Sequence, residues 1–193
     1  FTQAMLESDL GDMDRALELL EGLLQRDRTR LGDHPYVALD LAQIASLRSQ
    51  RGEFEIAKAL FDEALGMQRR LLPPGHPEIA TTLDNQAGNH GRMRQFELAL
   101  GCLKEALEIR AANLPADHPA LLTSRNKFAV QLHGLGRVAE AEQEYRAVME
   151  LVRRKFGTHP DTAACLYRVA CAVRDQDRLP EARELAEQSL AMY

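Results

Sequence analysis

Residues 31–35 read Leu31-Gly32-Asp33-His34-Pro35, and the last two residues of that stretch return as His76-Pro77, His118-Pro119 and His159-Pro160. The intervals are 42, 42 and 41 residues. Each dipeptide sits in a short polar or glycine-containing stretch: Gly32-Asp33, Pro74-Gly75, Ala116-Asp117 and Gly157-Thr158. A fixed period of this size is the mark of a repeat architecture. A second marker follows each of these histidines by about half a period, at Gly52, Arg94, Gly136 and Asp177, and Gly11 holds the same phase ahead of the first.

An apolar skeleton follows each marker. It reads Met13, Ala16, Leu20, Leu23 in the first unit and Phe54, Ala57, Phe61, Ala64 in the second. The third gives Phe96, Ala99, Leu103, Ala106, and the fourth Val138, Ala141, Tyr145, Val148. The fifth gives Leu179, Ala182, Ala186 and then Leu190, one position late. Spacings of three and four put these residues on one helical face. Upstream of each marker lies another helix, with a small residue at Ala45, Ala87, Ala129 and Ala170 and neighbours Leu41, Leu83, Phe128 and Leu166. Proline after each histidine suits the first turn of that helix, where its missing N–H costs nothing. Alanine at the recurring small positions lets two helices of a hairpin approach closely. No segment sustains the alternation of a strand, so none is predicted.

The expected fold is therefore all-α: a right-handed superhelical solenoid of antiparallel helix pairs, about five units and roughly ten helices. The single domain 1–193 divides into units 1–33 (partial), 34–75, 76–117, 118–158 and 159–193. One helix pair cannot bury its apolar face alone, and stacked neighbours can. The chain starts at Phe1 inside a helical pattern, so a fragment of a larger protein is expected. Twenty Arg against four Lys suggest a GC-rich genome and a bacterial source.

The skeleton of small residue, turn glycine, aromatic, alanine, aromatic, alanine resembles the tetratricopeptide repeat, whose ordinary period is about 34 residues. The longer period and the linkers Leu31-Gly32-Asp33-His34-Pro35, Leu114-Pro115-Ala116-Asp117-His118-Pro119 and Phe156-Gly157-Thr158-His159-Pro160 are similar to the kinesin light chain variety. That resemblance implies a longer second helix and a concave face lined by first-helix residues. It departs from the family at the paired asparagines of the first helix, where this chain has Ala42-Gln43, Asp84-Asn85, Asn126-Lys127 and Tyr167-Arg168. The scaffold carries over; the cargo preference does not.

By this alignment the groove is formed by Ala42, Gln43, Ser46 and Ser49, then Asp84, Asn85, Gly88 and Arg92. Asn126, Lys127, Val130 and His133 continue it, followed by Tyr167, Arg168, Cys171 and Arg174. Gly88, with Gly91 nearby, marks either a close approach to a ligand or a loosely formed helix end. Arg92, Lys127, Arg168 and Arg174 would suit an acidic or phosphorylated segment, Arg giving bidentate contacts. Because Arg is the default polar residue of this chain, a solvated helix face is the preferred reading of the four. Tyr167 is either an aromatic anchor or a residue packed sideways on the preceding unit.

Composition narrows the function. The chain of 193 residues is 45% hydrophobic with no Trp, and its formal net charge is −5. Nucleic-acid binding needs a basic domain, so none is expected. No apolar run reaches the length of a membrane span, so no membrane association is expected. Three cysteines, Cys102, Cys165 and Cys171, form no disulfide framework, which points to a reducing, cytoplasmic setting. Four of six histidines belong to the linkers, and none has metal-ligand spacing to Glu or Cys. Gly134-Leu135-Gly136-Arg137-Val138-Ala139 matches a dinucleotide fingerprint in letters, but lies between two helices rather than after a strand. No catalytic residue, cofactor or metal is expected. The leading function is a protein-interaction module binding a peptide or partner protein, as the adaptor or sensor region of a larger protein. The alternative is a structural oligomerisation or intramolecular regulatory array, with self-association through terminal repeats.

Overall fold

The computed structural model describes residues 13–192. Among these residues it is all-α, with nine helices and no strand. They are α1 (Met13–Leu31), α2 (Pro35–Gln50), α3 (Phe54–Leu71), α4 (Pro77–Arg92), α5 (Phe96–Asn113), α6 (Pro119–Gly134), α7 (Val138–Phe156), α8 (Pro160–Arg174) and α9 (Leu179–Leu190). The helix expected before Gly11, and Gly11 itself, lie outside the described residues. The contacts gather into two compact units divided between Met93 and Arg94. In the first, α1 packs on α2, α2 on α3, α3 on α4, and α2 also meets α4. In the second, α5 to α9 pack in sequence, each on the next.

The linker dipeptide explains itself at atomic level. His34, His76, His118 and His159 are the N-caps of α2, α4, α6 and α8, each with proline at the first helical position. In each, the ring Nδ1 accepts from the backbone N–H two residues on: Tyr36 at 3.2 Å, Glu78 at 3.3 Å, Ala120 at 3.2 Å and Asp161 at 3.2 Å. Four free N–H groups open every helix, and a capping acceptor satisfies one of them. Accepting at Nδ1 fixes the neutral ring as the tautomer protonated at Nε2.

The second marker is a left-handed turn between the helices of a pair. Gly52 and Gly136 have φ of 84° and 78°. Arg94 and Asp177 hold the same turn at 58° and 60° without glycine's freedom.

The skeletons meet the core as expected in four units. Ala16, Leu20, Ala57, Phe61, Ala64, Ala99, Leu103, Ala106, Ala141 and Val148 are fully buried, and Tyr145 nearly so. Ala45 packs with Ala57 and Phe61 in the first compact unit. Ala129 packs with Ala141 and Tyr145 in the second. The fifth skeleton differs. Leu179 and Leu190 are exposed, while Ser189 takes the buried position and donates its hydroxyl to the Ala163 carbonyl at 2.8 Å. The apolar residue expected one place late is thus not a core residue; a buried serine stands in the regular place. Among the described residues no helix is long and apolar enough to cross a membrane.

Candidate functional site

The first helix of each pair presents a row of residues outward, and the structure settles which. In α2 that row is Leu39, Gln43, Ser46 and Gln50; in α4 it is Thr81, Asn85, Gly88 and Arg92. In the second compact unit it is Thr123, Lys127, Val130 and Gly134 of α6, then Ala164, Arg168, Cys171 and Asp175 on and just past α8. All are exposed or half-buried. Residues five, nine, twelve and sixteen after the capping histidine share one face because those offsets follow the helical repeat. Val130 and Cys171 aside, the middle of the row is polar or glycine. Ser46 turns its hydroxyl back to the Ala42 carbonyl at 2.9 Å. Gln43 and Asn126 each hold a buried amide oxygen with no hydrogen-bond partner among the described residues.

The remaining predicted residues lie one row over. Ala42 and Asp84 are buried, Asn126 is half-buried and Tyr167 is exposed, though all four occupy the same repeat position. Ser49, His133 and Arg174 belong to a second such row. Two residues of the second row meet the neighbouring first helix of their own compact unit. Within the first compact unit, buried Ser49 accepts from the Arg92 guanidinium at 2.9 Å. Within the second, His133 Nε2 lies 2.9 Å from the Asp175 carboxylate. Arg174 pairs with the same carboxylate at 2.8 Å. The hydrogen bond from Arg174, helped by His133, holds Asp175 below the ordinary carboxylate range. Sequence reading missed Asp175, because a lone acid after a helix carries no signal until its neighbour is known.

The expected basic cluster is therefore unevenly available. Arg92 is tied to Ser49 and Arg174 to Asp175. Arg168 is exposed and makes no ion pair among the described residues. Gly88 meets no atom within 4 Å where a Cβ would stand, so no neighbour demands a glycine there. At Gly134 a Cβ would come within 2.6 Å of the Phe96 ring, so that glycine serves a close helix contact.

Other chemistry is sparse. Cys102, Cys165 and Cys171 are free thiols, and burial pushes the Cys165 thiol above its ordinary range. Glu142 is a buried carboxylate. Burial raises its pKa, but hydrogen bonds from Arg146 and Gln176 outweigh that and leave it lowered. Arg178 adds a third contact at 2.7 Å. Among the described residues no three His, Cys, Asp or Glu side chains gather at a metal-binding distance.

Comparison with known proteins places this arrangement. The tetratricopeptide repeat family matches residues 2–70, 39–112 and 120–193. The chain belongs to that family. Among solved structures it is similar to a Podosopora anserina protein described as a kinesin light chain of nearly identical TPR-like repeats. The identity is 25% and the TM-score 0.88, covering 99% of this chain and 92% of the other. It is also similar to BtubC (BKLC) of P. vanneervenii, at 22% identity and TM-score 0.73, covering 97% of this chain and 73% of that one. YrrB, described as a TPR protein with an unusual peptide-binding site, matches at 18% identity and TM-score 0.62, over 98% of this chain and 82% of its own. No curated protein sequence matches the chain. The kinesin light chain-like character read from the His-Pro linkers is thus shared with solved repeat proteins, and the tetratricopeptide fold is as a rule a non-catalytic scaffold.

Proposed function

We propose that this chain is a protein-interaction module, the adaptor or sensor region of a larger protein, which holds a peptide or partner segment on its first-helix faces. The observation that carries the reading is the unpartnered amide oxygen of Gln43 in the outward row of the first compact unit, joined in the second by that of Asn126, which borders the row beside Lys127. Leaving a buried acceptor unsatisfied costs about 1–3 kcal/mol. A peptide backbone N–H lying on the face would supply the missing donor. Half-buried Ser46 and Gly88 leave the rows low enough for a backbone to approach. The ligand we expect is acidic, drawn by Arg92 in the first unit and by Lys127 and Arg168 in the second. A cytoplasmic setting fits three free thiols.

The test is selection of peptides from a random library on the whole chain, followed by calorimetry of the selected sequence. Gln43→Ala and Asn126→Ala should each weaken it about fivefold to tenfold, the worth of one hydrogen bond. Lys127→Glu with Arg168→Glu should abolish binding, and affinity should fall steeply with salt. A selected peptide whose affinity ignores all four substitutions refutes the reading.

A further inference from the structure

The residue just before each capping histidine differs between repeats. It is Asp33 before His34, Gly75 before His76, Asp117 before His118 and Thr158 before His159. Each aspartate bonds a cation near the end of the second helix of the repeat it introduces. Asp33 pairs with Arg70 at 2.8 Å, and Asp117 with Lys155 at 3.1 Å. The fifth repeat has a neutral hydroxyl where the second and fourth have a carboxylate. That hydroxyl makes no hydrogen bond among the described residues.

Thr158 also lies in the most open stretch of the chain. Residues 153–161 are all exposed, the longest such run among the described residues. The backbone beside it is pinned, because Thr162 donates its hydroxyl to the Gly157 carbonyl at 2.9 Å. Arg153, Arg154 and Lys155 stand five, four and three residues ahead of Thr158. Arg154 pairs with Glu150 and Lys155 with Asp117, while the Arg153 guanidinium makes no ion pair among the described residues. Residues two apart share one face of an extended strand, so Arg153 and Lys155 can be offered together to an acidic surface. The segment 153–156 is the last turn of α7 and has to unwind to lie that way. Helix ends fray, and all four residues are exposed, so the turn opens without uncovering a buried side chain.

We propose that Thr158 is a phosphorylation site for a serine/threonine kinase that reads basic residues ahead of its acceptor. Thr158 Oγ attacks the terminal phosphorus of a nucleoside triphosphate, its proton passes to the kinase's base, and the nucleoside diphosphate leaves. The phosphate brings a charge of about −1.5 to −2. It gives the fifth repeat the acid that Asp33 and Asp117 give the second and fourth, ahead of a helix N-terminus that favours an anion. Arg153 is the cation left to meet it. Thr29 marks what the structure adds to the sequence. Arg26 precedes it by three residues, yet Thr29 lies within α1 with its hydroxyl bonded to the Gln25 carbonyl at 2.8 Å. The Thr158 site is separate from the first-helix rows and does not rest on the reading given for them.

The experiment incubates the whole folded chain with magnesium ATP and a purified serine/threonine kinase that selects basic residues three and five places before its acceptor. Fragment mass spectrometry should find the phosphate on Thr158 and none on Thr29. The rate should be comparable to that of a free peptide spanning residues 149–163. Thr158→Ala should abolish uptake and Thr158→Ser restore it. Arg153→Ala removes no ion pair of the fold, as circular dichroism should confirm, and should slow the transfer about tenfold, the worth of one charged hydrogen bond. Phosphate on Thr29 or another residue in place of Thr158 overturns the proposal. So does a folded chain that stays unmodified while the peptide is phosphorylated, or a rate that Arg153→Ala leaves unchanged.

Discussion

Replacing Asp40 by threonine should stabilise the chain at neutral pH. Asp40 lies in α2 with only 3% of its surface exposed, and its Oδ2 finds no partner among the described residues. Burial first, and the negative charge of Asp27 second, raise its pKa from 3.8 to about 6, against some relief from Arg26. At neutral pH the folded chain therefore holds a carboxylate that would rather be protonated. A group raised in the folded state gives stability that is full below its unfolded value and lost as pH rises through its folded value. The window here runs from 3.8 to about 6, and the loss is complete above it. At about 1.4 kcal/mol per pH unit, that loss is at most about 3 kcal/mol. The repeat supplies its own remedy. Thr82 and Ser124 occupy the same position, six residues after the capping histidine, and donate to the carbonyls of Glu78 and Ala120 at 3.2 and 3.1 Å. In the Asp40→Thr chain the introduced hydroxyl would reach the Tyr36 carbonyl in the same way.

Urea unfolding of both chains across pH checks the reasoning. The variant should be more stable by about 1–3 kcal/mol near pH 7.5, and its advantage should shrink as the wild-type carboxyl becomes protonated in both states near pH 4. An advantage that stays constant across that range would assign the gain to the hydroxyl and its packing rather than to the removed charge. A variant less stable at neutral pH would mean that Asp40 is satisfied in solution, and the argument would fail outright.

His118→Ala should lose about 1 kcal/mol of stability by thermal melting, while His118→Asp, which also caps, should recover most of it; nitrogen-15 spectra should show the capping histidines protonated at Nε2. Arg94→Gly should raise the melting temperature, because a non-glycine residue at φ 58° carries a penalty of roughly 1 kcal/mol, less the contact of its guanidinium over the Phe96 ring. Gly88→Ala should stabilise by about 0.5–1 kcal/mol, since its Cβ enters open space in a helix. Gly134→Ala should instead destabilise, by about 1 kcal/mol or more, as its Cβ meets the Phe96 ring. Glu142→Gln should cost about 1–3 kcal/mol at neutral pH by weakening the bonds from Arg146 and Arg178. Because the Glu142 pKa is lowered on folding, its contribution is present above the ordinary glutamate value and fades as pH falls through the folded one, so the cost should vanish in acid.

What the sequence revealed and what it concealed divide along a physical line. Features decided within a few residues were legible. A proline after each histidine marked the first turn of a helix, and four helices start there, each capped by its histidine. A turn was legible at the mid-unit marker, and the phase of the repeat extended it to Arg94 and Asp177, where the structure shows the same left-handed conformation as at Gly52 and Gly136. Alanines at hairpin crossings followed from the spacing alone, and Ala45, Ala57, Ala129 and Ala141 are fully buried.

Features decided by the next repeat were not legible from one repeat. Ala42, Asp84, Asn126 and Tyr167 share a position, yet their exposure runs from buried to open. Helical periodicity sorts residues by face, but a residue between two faces is settled by whichever element covers it. That is why Ser49 and His133, expected in the groove, are instead engaged by Arg92 and Asp175 of the neighbouring first helix. The same dependence misled the reading of the fifth skeleton. Leu190 looked like the core residue displaced by one place because Ser189 is polar. A serine can be buried when its hydroxyl has an acceptor, and the Ala163 carbonyl is that acceptor. Once Ser189 is restored to phase, Ala186 falls into the position of Phe61 and Tyr145, and the fifth repeat is seen to carry a small residue where the others carry a bulky one.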